Sequence, residues 1–469
     1  MKAHFIGIAG KGMSATALLL REQGWEITGS DEGFYPPVST YLTEAGIGFA
    51  HGYRKENIPA DVDRIIIGKN AKLIPETNAE VQAALESGVR VCSFPDILEE
   101  LTENTDNIIV AGSYGKSTST ALLAWCLKEA GKDPSYFIGE ITKGFTAHAH
   151  KGASDVFVLE GDEYPSSNWD PRSKFLHYHA KNILLTSATH DHINIYPTHA
   201  DYLAPFRALI ASLPANGLVV ANGGEEHARA LTEEYTGTKV FYGIDSVHEW
   251  HPTNIGYGET TTFDLMKGDE LVISISTTLL GTHNIENIVG VCALLLEKKL
   301  LTPAEVARGV ASFQGVKRRL ELLSPGSRIP VLEGFGSSYE KARSALVAMK
   351  NHYANKRILV VFEPHTFSWR NRQSIGWYDS VFAGADIVYI YEPATQGHET
   401  HAQLSQAEIV ARITDAGFSA FAVTSAAQTL NILGEELKED DTVLLLTSGN
   451  LDGLIETIPA LVEKKFPIT

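Results

Sequence analysis

The sequence predicts an α/β protein built as three domains in series. Three observations carry that prediction. Short apolar strands alternate with helix-forming stretches along the whole chain, the pattern of parallel βαβ units. Two glycine-rich loops, around 7–12 and 112–117, each follow a buried strand and open a helix. The 469 residues are about three times the ~150 residues of an ordinary domain, too many for one core.

Composition narrows the class. Lys+Arg 39 against Asp+Glu 57 leaves a net charge of −18, which argues against nucleic acid or an anionic membrane as the main partner. With 44% hydrophobic and 20% charged residues the chain reads as folded, not disordered. Cys92, Cys126 and Cys292 are odd in number and far apart, so neither a disulfide frame nor a thiolate zinc site is expected. No apolar run reaches the ~18–20 residues of a membrane span, and Phe5–Ala9 is too short for a secretory leader. A soluble cytoplasmic protein is expected.

Residues 1–9 read as a buried strand ending in glycines, Met13 to Gln23 as a helix, and Trp25–Thr28 as a strand closing at Asp31. Arg64–Ile67 and Val89–Cys92 are further strands. The charged stretch Glu99–Asp106 reads as the linker into a second domain that opens with strand Asn107–Val110. Strands follow at Val156–Leu159, Ile183–Thr186 and Leu218–Val220, and alternation over Asp264–Ser276 suggests antiparallel structure. The pattern resets near Gly315–Leu323, and the last third offers strands at Ile358–Phe362, Ile387–Tyr391 and Val443–Leu446. The expected domains are 1–100, 101–320 and 321–469.

The loop Ala111-Gly112-Ser113-Tyr114-Gly115-Lys116-Ser117-Thr118 is a shortened phosphate loop, GxxGKS. Its glycines let backbone N–H groups approach phosphate oxygens, Lys116 reaches the outer phosphates and the Ser117 hydroxyl holds Mg²⁺. A plain strand-to-helix turn with a surface lysine is the structural alternative. Glu160 of Glu160-Gly161-Asp162-Glu163 ends a parallel strand, where metals of nucleotide sites are held. His190 and His192 end another strand, and with Glu160 they leave a zinc site open as a rival to ATP-Mg²⁺. The first loop runs GxxGxG, with Asp31 closing the next strand, a Rossmann-like layout for a pyrophosphate and a ribose. Two nucleotide loops suggest that one nucleotide carries the substrate and the other supplies energy. An NAD-dependent oxidoreductase, the reading of the first loop alone, does not account for the second.

These residues resemble the Mur ligase family over the whole length, in HFIGIAGKGM (4–13), AGSYGKST (111–118), GTHNIENIVG (281–290) and GVKRRLE (315–321). The resemblance implies a Rossmann-like first domain, a P-loop ATPase-like central domain and a Rossmann-like C-terminal domain. It implies an ATP-dependent ligase that joins a carboxylate to an amine in peptidoglycan assembly, with ATP and Mg²⁺. The segments GSDEGFYPPVSTYL (29–42), EGDEY (160–164), DPRSKFLHYHAKN (170–182), FEPHT (362–366) and LTSGNLDG (446–453) resemble the branch that couples UDP-N-acetylmuramate to a murein tripeptide. L-alanine is the rival amine, and a relative that binds nucleotides without catalysis is a second alternative.

Carried over by position, the resemblance implies that Gly10, Gly12, Asp31, Gly68 and Asn70 hold the UDP-muramate. Gly112, Ser113, Gly115, Lys116, Ser117 and Thr118, with His283, Asn284, Asn287 and Arg319, would hold ATP. Ser117, Glu160 and His192 would bind magnesium, and Lys116, Glu160, His192 and Arg319 would be catalytic. The chain departs from the family at Ser113-Tyr114, where Thr-His or Thr-Asn is usual, and at Glu333-Gly334, where two acids are usual. His365 stands for a frequent arginine, and no lysine lies between His192 and Lys239 to be carbamylated. His177 and His179 read as structural or substrate-lining in a strand-like run, Lys317-Arg318-Arg319 as a solvated hinge, Trp369 and Trp377 as packing, and Glu99–Glu100 and Glu435–Asp441 as solvated helix ends.

Overall fold

The computed structural model describes residues 1–140, 142–192, 195–392 and 403–468. The chain divides into two compact units. The first comprises 1–254, 263–277 and 286–314; the second comprises 255–262, 278–285 and 315–469.

Two sheets belong to the first unit, except for residues 255–257 and 261–262 at the ends of two of their strands. A five-stranded sheet runs in the order Gly48–His51, Glu26–Asp31, Lys2–Ile6, Arg64–Ile67, Arg90–Cys92, all parallel. Lys2–Ile6 is central, with Ala3, His4, Phe5 and Ile6 all buried, as a strand covered on both faces requires. Its carboxyl end releases the glycine loop into the helix Lys11–Glu22, two residues earlier than the helix pattern in the sequence suggests.

The second sheet has ten strands. From one edge these are Glu270–Thr277, Thr261–Lys267, Trp250–Tyr257, Thr238–Tyr242, Leu218–Asn222, Asn182–Leu185, Asp106–Ala111, Val156–Gly161, Ser135–Phe137 and Ala149–His150. Asp106–Ala111 lies between two parallel partners, Asn182–Leu185 and Val156–Gly161, so three carboxyl ends converge. One buried cluster extends from Phe5 and Leu19 to Phe157 and Leu185.

The six-stranded sheet of the second unit runs Arg319–Leu322, Val331–Phe335, Asp441–Thr447, Arg357–Phe362, Ile387–Tyr391, Ala420–Val423. Only the first strand is antiparallel to its neighbour. Leu359, Val361, Val443 and Leu445 pack on one face and Val360, Phe362, Leu444 and Leu446 on the other. These near-continuous apolar strands match a doubly covered α/β sheet. Among the described residues no helix is long and apolar enough to cross a membrane.

Two local readings are corrected. Glu99–Thr102 is not linker but the last turn of the helix Phe94–Thr102. Ser93 and Asp96 form a reciprocal capping box at its start, a signal that outweighs the charge run. Glu99 then binds the buried His177 at 2.7 Å and Glu100 binds Arg64, so neither is only solvated, and in the second unit Asp441 likewise is buried and binds Arg357 at 2.8 Å. The stretch around Tyr178 is a short 3₁₀ turn, Lys174–His177, not a strand.

Candidate functional site

The phosphate loop lies where the sequence puts it, between the strand Asp106–Ala111 and the helix Lys116–Glu129. Gly115 takes φ +81°, and a Cβ there would stand 2.5 Å from Asn287 Oδ1. A side chain is therefore excluded both by conformation and by space. Asn287, buried at 8% exposure, is thereby brought against the loop. Ser113 donates to Thr189 O at 2.5 Å and accepts from Tyr202 OH at 2.9 Å. The Tyr114 N–H donates to Ser187 Oγ at 3.0 Å, while its ring is exposed. The Ser-Tyr departure thus keeps the loop anchored at both residues. Gly112 contributes its carbonyl to Lys116 Nζ, and Thr118 sits part-buried in the first helical turn.

Lys116 reaches Glu163 Oε2 at 3.0 Å. Burial pulls the Glu163 carboxyl up, yet Lys116 and His192 beside it outweigh burial and hold it down at about 2. Tyr202 OH adds a hydrogen bond to Glu163 at 3.3 Å. Glu163 is 0% exposed. The sequence pattern assigns Glu163 no role. The available signal is the third acid of Glu160-Gly161-Asp162-Glu163, just past the end of the strand that neighbours the one leading into the loop.

Glu160 accepts from Ser117 Oγ at 2.8 Å and from the Gly139 N–H at 2.7 Å. Burial raises its carboxyl above the ordinary value, against the pull of those donors and of Lys116. A buried carboxylate facing a hydroxyl suits a hard divalent cation, which takes oxygen donors and offsets the cost of burying the charge. The pair Ser117–Glu160 therefore fits Mg²⁺.

His192 is held elsewhere. Its Nε2 lies 3.3 Å from Glu163 Oε1 and its Nδ1 2.8 Å from Tyr164 OH. Among the described residues no hydrogen bond or ion pair joins it to the Ser117–Glu160 pair, and the side chains grouped closely enough to share a metal ion are Asp96, Glu99 and His177. His190 Nε2 binds Tyr196 O at 2.8 Å and its ring stacks on His199, so His190, His192 and Glu160 do not converge as a zinc site.

In the first sheet the glycine loop is braced by Asp31. Its carboxylate accepts the Ala9 N–H at 2.9 Å, the Glu32 N–H at 2.8 Å and Tyr53 OH at 3.1 Å. Gly10 caps the helix. The Gly12 backbone meets the Phe94 ring so closely that a Cβ would stand 2.7 Å from Cζ. Gly68 N–H donates to Ile6 O, and Asn70 accepts from the Lys72 N–H and from Asn168. All five predicted residues thus line the carboxyl ends of Lys2–Ile6, Glu26–Asp31 and Arg64–Ile67, the edge where open α/β sheets bind ligands.

His283, Asn284 and Arg319 belong to the second unit. Burial, with Arg319 nearby, lowers the His283 imidazole to about 4, and Asn284 donates to Leu280 O at 2.8 Å. Arg319 lies over the Phe335 ring at 5.2 Å. Its neighbour Arg318 is no solvated hinge: it binds Glu333 at 2.6 Å and Gly449 O at 2.6 Å. The one acid kept at 333–334 is therefore engaged with Arg318. His365 lies 3.2 Å from Ser448. Trp369 is fully buried and donates to Gly336 O at 2.7 Å.

Comparison with known proteins shows the family. Residues 2–105 match the model "Mur ligase family, catalytic domain" and residues 110–295 the model "Mur ligase middle domain", together more than half of the chain. The UDP-N-acetylmuramate–L-alanine ligase of Desulforapulum autotrophicum is 28% identical over 457 residues, covering 97% of each chain. The UDP-N-acetylmuramate–L-alanyl-gamma-D-glutamyl-meso-2,6-diaminoheptandioate ligase of Escherichia coli is 28% identical over 473 residues, covering 99% of each. The crystal structure of the UDP-N-acetylmuramate–alanine ligase of Thermotoga maritima superposes with a TM-score of 0.79 at 22% identity, covering 99% of this chain and 100% of that one. With both family models matched in order along one chain, and with their phosphate loop in place, this protein belongs to the Mur ligases, ATP-dependent enzymes that form an amide bond.

Proposed function

We propose that this enzyme joins the lactyl carboxylate of UDP-N-acetylmuramate to the amine of a murein tripeptide in the cytoplasm, in peptidoglycan recycling. The observation that carries the reading is the fold of the segment 162–177. Asp170-Pro171-Arg172-Ser173-Lys174 returns antiparallel along Asp162-Glu163-Tyr164-Pro165: the Ser166 N–H bonds Arg172 O, the Lys174 N–H bonds Tyr164 O and the Phe175 N–H bonds Asp162 O. The stretch that resembles the tripeptide branch is thus built onto the strand end that carries Glu160 and Glu163. In the domain assignment that goes with this reading, 1–100 binds the UDP-substrate, 101–320 binds ATP and 321–469 binds the amine.

The chemistry follows from charge. A muramoyl carboxylate oxygen attacks the γ-phosphorus, ADP leaves, and an acyl phosphate forms. The amine then attacks the acyl carbon and phosphate departs. Lys116 neutralises the transferring phosphoryl group, giving up Glu163 to do so. Glu163, ionised far below neutral pH, keeps Lys116 cationic and aimed into the loop. Gly112, Ser113, Gly115, Ser117 and Thr118 present the loop and the helix N-terminus to the phosphates, and Asn287 stands at their edge. The resemblance to the Mur ligases assigns ATP to His283, Asn284 and Arg319 as well. Ser117 and Glu160 hold Mg²⁺, which offsets phosphate charge when bound; His192 orients Glu163. Gly10, Gly12, Asp31, Gly68 and Asn70 hold the UDP-muramate.

Phosphate release from Mg-ATP with UDP-N-acetylmuramate tests the proposal. Release with L-alanyl-γ-D-glutamyl-meso-diaminopimelate and none with L-alanine is expected. Release with L-alanine alone overturns the tripeptide assignment, and no release with either overturns the proposed catalysis.

A further inference from the structure

A ligase of this kind must hold two anions, a carboxylate and a triphosphate, in line before either is neutralised by reaction. Lys116 and the phosphate loop serve the triphosphate. Nothing described above serves the carboxylate, and two lysines, Lys69 and Lys174, lie in the neighbourhood of Asp162 beside the strand end that carries Glu160.

Lys174 is held by the returning segment 170–177, with its ammonium 2.5 Å from Asp162 Oδ2. It lies over the ring of Phe94 at 5.5 Å and of Tyr164 at 5.7 Å. Phe94 is the ring against which Gly12 of the first loop packs, and Tyr164 is the partner of His192. Lys174 therefore stands between the glycine loop of the first sheet and the acid-lined strand end of the second. Its side chain is only 16% exposed, costly for a flexible ammonium that serves the fold alone. Lys69 enters from the segment Gly68–Asn70, with Nζ 3.3 Å from Pro165 O. The Pro165 backbone in turn bridges Ser173 beside Lys174. Burial and the charge of Lys174 both lower the Lys69 ammonium, opposed by Asp162, as expected for two cations drawn to one carboxylate. Lys69, Lys174 and Asp162 carry a net charge of +1, which a single incoming carboxylate would balance.

We propose that Lys69 and Lys174 are the residues that bind the lactyl carboxylate of the muramoyl substrate, Lys174 exchanging Asp162 for it when the substrate enters. The inference rests on the function proposed above. Two ammonium groups on one carboxylate orient its free oxygen and screen its repulsion from the γ-phosphate. Charge-assisted hydrogen bonds of this type are among the strong ones.

The test compares binding of UDP-N-acetylmuramate with UDP-N-acetylglucosamine, which lacks the lactyl carboxylate, by titration calorimetry on the full chain. The unsubstituted protein must bind the muramate, and failure there overturns the proposed function rather than the lysine pair. Lys174→Met is expected to weaken the muramate about tenfold or more and to leave the glucosamine analogue unchanged; Lys174→Arg retains most of the difference. Lys69→Met is expected to act in the same direction. Trapping the acyl phosphate as a hydroxamate with hydroxylamine, without any amine donor, should show a raised KM for the muramate in Lys174→Met. Equal loss of both UDP-sugars would reduce Lys174 to a structural residue and overturn the inference. Unchanged trapping with a raised KM for the tripeptide would assign the pair to the donor's carboxylate and overturn it as well.

Discussion

Lys116 and Glu163 form a pair in which each charge justifies the burial of the other. Removing one partner of such a pair leaves a buried charge uncompensated. Lys116→Ala is expected to abolish acyl-phosphate formation, measured as hydroxamate release, and to lower stability by up to about 3 kcal/mol. The double substitution Lys116→Ala/Glu163→Gln removes the stranded charge, so it should recover much of the stability and none of the activity. Recovery of activity would show that Lys116 does not act on phosphate. The lysine was legible from the sequence because backbone, glycines and cation occupy one contiguous stretch. Glu163 lies 47 residues away, and its partnership depends on two parallel strands being neighbours.

At the scale of an element, the helix Phe94–Thr102 ties the first sheet to the second within one unit. Its first residue floors the glycine loop and its Glu99 binds His177, a fully buried imidazole. The domain boundary expected from sequence, at 100/101, falls within this helix because charged residues dominate its last turn. Its capping box, Ser93 with Asp96, was the better signal. Gly12 in the facing helix has no room for a side chain: a Cβ would stand 2.7 Å from the Phe94 ring. Gly12→Ala is therefore expected to cost about 1–3 kcal/mol through overpacking, read as a lower denaturation midpoint. The UDP-sugar affinity should fall with it, and an unchanged midpoint would show that the two helices yield without strain.

For the molecule as a whole, two imidazoles give its stability a common pH dependence, one in each compact unit. Burial lowers His148 to about 4, with the Lys11 ammonium helping and a hydrogen bond to the Lys11 carbonyl opposing. Burial and Arg319 lower His283 to about 4. An imidazole whose folded value lies below its unfolded value, about 6.5, leaves the unfolded chain binding more protons between those limits. Stability therefore stands at its full value above about pH 6.5 and falls as pH drops toward 4. Thermal melts across that window should show the decline, and His148→Gln should flatten part of it. A melt independent of pH over this range would mean that both rings protonate freely in the fold.

Sequence alone determined the α/β class, the two glycine-rich strand-to-helix loops and the family, because each is written in contiguous residues whose spacing has a direct backbone meaning. Strand periodicity, a glycine at a left-handed position and a lysine at a helix start are local properties. Tertiary structure alone decided which distant groups meet. It set Glu163 on Lys116, His192 on Glu163 rather than on Glu160, Arg318 on Glu333, and Lys69 beside the segment that carries Lys174. Such pairings follow from strand order and from the return of a loop on itself, and neither leaves a periodic trace in the chain. The electrostatics of the site, which depend on separations of a few ångströms between elements, appear only once the sheets are formed.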